Sequence, residues 1–100
     1  MNMLLPLDSL APDTAQLSTL DDVKAWGLIF LDAGRAQEIN IYPTREEIKR
    51  PPECVVVQSK DEYIWPFMEE GLGILIAPVQ RSIEDIVEAY MFRELHDING

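Results

Sequence analysis

The stretch from Cys54 to Val79, CVVVQSKDEYIWPFMEEGLGILIAPV, is the densest apolar segment of the chain, and any fold must bury most of it. Cys54-Val55-Val56-Val57-Gln58 is short and β-branched and lies between Pro51-Pro52 and the polar turn Ser59-Lys60-Asp61-Glu62, the pattern of a strand entering a hairpin. Tyr63-Ile64-Trp65-Pro66-Phe67 then reads as the return strand, with Tyr63, Trp65 and Phe67 on one face and Ile64 on the other. Pro66 has no N–H to donate, so this strand belongs at a sheet edge or ends there. Gly71 to Val79 is apolar at both alternating positions, which suits a strand buried on both faces at the centre of the sheet.

The flanks supply helices and one further strand. Residues 1–17 mix leucines with Pro6, Asp8, Pro12 and Asp13 without a lasting period, and are expected to form a tail, partly ordered at most. Ser18 to Asp22 has the form of a helix start, and Leu20, Val23, Gly27, Phe30 and Leu31 share one helical face up to Gly34. Trp26, Leu28 and Ile29 lie off that face, so a helix over residues 20–34 is apolar nearly all round; a two-turn helix followed by a strand over Leu28 to Leu31 is the competing reading. Glu38 to Tyr42 alternates as a half-exposed strand, and Thr44 to Arg50 fits one or two helical turns ended by Pro51-Pro52. Ser82-Ile83-Glu84-Asp85 opens a helix with a capping-box pattern, and Ile83, Ile86, Val87, Tyr90 and Met91 form its apolar stripe. Residues 98–100 read as a tail. The expectation is one α+β domain over residues 18–100: two layers, with a mostly antiparallel sheet of three or four strands packed against an N-terminal and a C-terminal helix.

Charge is the most informative global property. The 100 residues carry 18 acidic and 8 basic side chains, a net −10, and the second half holds 10 of the acids and only 3 of the bases. Nucleic-acid and anionic-membrane affinity rest on Lys and Arg, so this balance argues against direct binding to either and favours encounter with a basic protein. No apolar run approaches the roughly 18 residues of a spanning helix. The N-terminal residues are too soon broken by Pro6 for a secretory signal, and a single cysteine suits a reducing compartment. A cytoplasmic protein is expected.

Residue types that carry chemistry are few. His96 is the single histidine and falls near the end of the last predicted helix, where an imidazole meets the dipole; Glu94 and Asp97 would point in other directions, which makes a poor metal site. Cys54, heading a β-branched strand, is expected to be a buried inert thiol. The pairs Asp21/Asp22, Asp61/Glu62, Glu69/Glu70 and Glu84/Asp85 lie in turns or first helical turns, whereas acid–base work needs two carboxyls facing across an apolar cleft. Gly71-Leu72-Gly73 lacks the further glycines and the Lys-Ser/Thr of a phosphate loop. No catalytic residue, metal or cofactor is expected.

Size, charge and the aromatic stripe together suggest a non-enzymatic binding protein that occupies a basic surface of another macromolecule, as an immunity protein, antitoxin or inhibitor mimicking nucleic-acid charge does. Its expected carriers are Asp61, Glu62, Glu69, Glu70, Glu84, Asp85 and Glu88, with Tyr63 or Trp65 as anchor. The alternative is a homo-oligomeric or accessory structural subunit, with a homodimer made through surplus apolar surface.

Overall fold

The computed structural model describes residues 1–98. Its strands are β1 (Asn2–Leu7), β2 (Ala25–Asp32), β3 (Arg35–Tyr42), β4 (Cys54–Val57), β5 (Gly73–Ile76) and β6 (His96–Asp97), and its helices are α1 (Trp65–Glu69) and α2 (Ile83–Met91). The six strands form one mixed sheet in the order β3-β2-β1-β4-β5-β6. β1 runs parallel to β4, and β4 to β5, while β1–β2, β2–β3 and β5–β6 are antiparallel. The expected fold, a mostly antiparallel sheet of three or four strands between N- and C-terminal helices, is therefore corrected in strand number, in strand direction and in the N-terminal helix.

The largest correction falls on the first residues. In place of a tail, Asn2–Leu7 forms a central strand, and Met3, Leu4, Leu5, Pro6 and Leu7 are all fully buried. A strand covered on both faces needs apolar side chains at every position, so it shows no alternation. Pro6 lies beyond the β1–β4 pairing, which stops at Leu4. The role of central strand thus passes from Gly71–Val79, which yields the four-residue β5, to β1 and β4.

The predicted helix over residues 20–34 is instead β2 and the turn after it. Ala33 (φ 54°) and Gly34 (φ 77°) both take the left-handed conformation between two antiparallel strands, as a type I′ hairpin turn requires. Gly34 closes a hairpin, not a helix. Gly27 in β2 has a packing role, since a Cβ there would lie 2.9 Å from Leu7 Cδ1.

The expected return strand Tyr63–Phe67 is also corrected: Trp65–Glu69 is the helix α1, which carries the chain from β4 to the parallel β5. Pro66 sits in the first helical turn, where a missing N–H leaves no bond unmade. The final helix forms as expected, with Ser82 Oγ accepting from the Asp85 N–H at 3.0 Å. It ends at Met91, so His96 lies past it on the edge strand β6 and does not meet the helix end.

Two apolar layers result. Met3, Leu5 and Leu7 face Ile29, Leu31, Val56 and the α2 residues Ile83 and Ile86. On the other face Leu4, Leu28, Val55, Val57 and Ile74 meet Phe67 of α1. Each buried Leu or Met of β1 is worth about 1.5–3 kcal/mol; the strand gives three of them to the α2 side and Leu4 to the α1 side, so it contributes to both layers.

Candidate functional site

In open sheets of this kind, ligands gather outside the carboxyl ends of the parallel strands. Here that edge is occupied by the chain itself. Asp8, just after β1, accepts from the Gln16 N–H, and Gln58, just after β4, donates through Nε2 to the Leu17 carbonyl. After β5, the Arg81 guanidinium donates to the carbonyls of Ala77, Pro78 and Gln80. Asp8 and Arg81 each brace their own segment and Gln58 ties Leu17 to the end of β4, while the Leu17 N–H donates to the Arg81 carbonyl and so joins residues 8–18 to 77–82.

Glu62 belongs to the same scaffold. Its carboxylate accepts from the N–H groups of Leu20 (2.6 Å), Gln58 (2.7 Å) and Ser59 (3.2 Å), so it ties the β4–α1 turn to residue 20 and does not serve as a rim charge. Glu70 is likewise committed, in a bidentate pair with Arg45 at 2.9 Å on both oxygens. That guanidinium lies 5.7 Å from the Trp26 ring centroid and 5.2 Å from that of Phe67. Arg45, expected as part of a solvated basic turn, instead joins β2 to α1, and its hydrogen bonds hold the Glu70 carboxyl below the usual range.

With Glu62, Phe67 and Glu70 turned to structural work and Ile64 packed against the core, Asp61, Tyr63, Trp65, Met68 and Glu69 are left exposed. Tyr63 is 70% exposed and Trp65 58%, and Met68, one turn after Trp65 on α1, is also exposed. Asp61 and Glu69 are exposed on either side of them in sequence. The aromatic stripe is thus split: Phe67 is core, whereas Tyr63 and Trp65 are surface. Sequence reasoning missed Met68, whose spacing of three from Trp65 carries meaning only once Pro66 is taken as a helix start.

The other carboxylates lie across the sheet. Glu84, Asp85 and Glu88 are on α2, which covers the opposite face from α1. The structure therefore does not unite the nine predicted residues; it divides them into an α1 surface and an α2 surface. Glu84 and Glu88 help line an open groove of about 630 Å³ between α2 and β3.

Solved structures share this fold. The PH0822 structure superposes with a TM-score of 0.77 at 13% identity, covering 97% of this chain and 96% of that one. A Methanocaldococcus jannaschii protein, mj0327, named provisionally as a dinitrogenase, gives a TM-score of 0.76 at 12% identity, covering 100% of this chain and 96% of its own. At such identities the likeness carries the architecture alone. No family model and no curated protein matches the sequence.

Burial pushes the Cys54 thiol up to about 12, with the Glu53 charge adding to the shift, so it stays protonated at neutral pH. His96 is exposed on β6 opposite Ile76. Among the described residues no three His, Cys, Asp or Glu side chains group as metal ligands, and no helix is long and apolar enough to cross a membrane.

Proposed function

We propose that this chain is a small acidic binding protein of the cytoplasm that works by occupying a basic surface on another protein, in the manner of an immunity protein, antitoxin or inhibitor, without chemistry of its own. The single observation that carries this reading is Trp65, 58% exposed on α1 with Tyr63 and Met68 beside it in the chain. A Trp anchor that becomes desolvated contributes on the order of 2 kcal/mol or more to an interface. Asp61 and Glu69 flank that anchor with negative charge, and the net −10 of the chain favours attraction to a basic partner. A Lys or Arg brought over the indole face would add about 0.5–2 kcal/mol. The Arg45–Glu70 pair and the three bonds to Glu62 hold the segment in place before binding. That lowers the ordering cost of association.

The test is capture from native lysate at low salt with the tagged full chain, its Trp65→Ala variant and a combined Asp61→Asn, Glu69→Gln variant. A basic protein held by the parent chain and lost from both variants supports the proposal. No basic protein, or equal capture by all three, refutes it. The second reading, a homo-oligomeric or accessory subunit, draws on the same exposed indole. In sedimentation it requires a tight dimer that Trp65→Ala dissociates, whereas the first reading requires a monomer.

A further inference from the structure

β3 ends the sheet, and among the described residues its outer edge pairs with no strand. Phe30 opposes Glu38 while Leu31 opposes Ala36, so Gln37 is an extra residue in a bulge. Beyond that bulge Glu38–Tyr42 pairs regularly with β2 and leaves a row of outward backbone donors and acceptors. On the α2 side of this edge lies the open groove of about 630 Å³. Ala36, Ile39, Val87 and Met91 are among its apolar lining, with Ile39 46% exposed. Its charged lining is Asp13, Glu84 and Glu88 against one cation, Arg35.

We infer that β3 and this groove accept an extended basic segment of another protein as an added strand. The backbone of that segment pairs with Glu38–Tyr42. One apolar side chain packs over Ile39 toward Val87 and Met91, and Lys or Arg two residues away, on the same face, meets Glu84 and Glu88. Charge decides against a second copy as occupant. Two β3 strands paired antiparallel are related by a two-fold axis normal to the sheet, so both α2 helices would stand on one face. Their Glu84, Glu88 and Asp13 carboxylates would then crowd one groove between chains of net −10. This surface is on the opposite side of the sheet from Trp65 and stands independently of the proposal made for it.

The experiment uses the full chain and three labelled peptides in fluorescence anisotropy at 0.05 M salt: Lys-Thr-Val-Thr-Lys-Thr-Lys, the same peptide with Glu for Lys, and the same basic peptide with Pro for the central Thr. Amide chemical shifts locate the site. The basic peptide is expected to bind, with shifts at Glu38–Tyr42 and α2. The acidic and proline peptides should bind at least tenfold more weakly. Ile39→Lys should weaken the basic peptide at least tenfold and Glu84→Gln with Glu88→Gln several-fold, while Trp65→Ala leaves its binding unchanged. No binding of the basic peptide at millimolar concentration, equal binding by the proline peptide, or binding indifferent to Ile39→Lys overturns the inference. So does a dimer of the free chain that Ile39→Lys dissociates, which would make a second copy the occupant.

Discussion

Arg45 donates both terminal guanidinium nitrogens to Glu70 while lying over the rings of Trp26 and Phe67. A carboxyl held below its ordinary value of 4.5 contributes stability that is present above that value and lost as pH falls through the lower, folded one. Arg45→Met should therefore lower stability at pH 7 by about 1 kcal/mol and flatten this part of the acid limb, measured by urea unfolding between pH 7 and 3. Glu70 is partly exposed, so solvent keeps the effect small. Cys54 shows the opposite sign: its raised folded value means that its contribution persists below 9.0 and is lost as pH climbs towards about 12. A thiol reagent at pH 8 should leave the native chain unmodified and label it completely in denaturant; rapid native labelling would contradict the burial. Trp65→Ala, by contrast, should shift stability by no more than about 0.5 kcal/mol, which makes it a clean probe of binding.

The elements differ in how plainly the sequence announces them. α2 was readable because a local cap and a 3.6-residue stripe both survive in the fold: Ser82 caps Asp85, and Ile83 and Ile86 are buried. β3 and β4 were readable from alternation and from a β-branched run. β1 and β2 were not. Both are covered on two faces over most of their length, and an all-round apolar segment looks equally like a tail of leucines or a buried helix. The α1 surface was half readable, since the residues Tyr63 and Trp65 were singled out but assigned to a strand that Pro66 instead starts as a helix. The scaffold roles of Glu62 and Glu70 were invisible, because their partners Leu20 and Arg45 lie 42 and 25 residues away. Two substitutions test the corrected elements. Gly27→Val should destabilise by about 1–3 kcal/mol in thermal unfolding, because the added side chain meets Leu7. Leu5→Ala in β1 should cost about 2–5 kcal/mol, an effect no dispensable tail would give.

Over the whole molecule, the sheet separates two acidic regions. The α1 side offers exposed aromatics with Asp61 and Glu69, and the α2 side offers a groove beside an open strand edge with Glu84 and Glu88. Among the described residues none of these four carboxylates forms a salt bridge, as Glu70 does with Arg45. The proposed function therefore rests on association driven by charge and held by Trp65. Once a captured partner is in hand, the most direct measurement is its association and dissociation rate with the parent chain and with Trp65→Ala between 0.02 and 0.3 M salt, where the screening length falls from roughly 20 Å to about 6 Å. The prediction is that association slows steeply with salt and to the same degree for both chains, while Trp65→Ala alone dissociates at least tenfold faster. Association indifferent to salt, or dissociation indifferent to the loss of the indole, would contradict it.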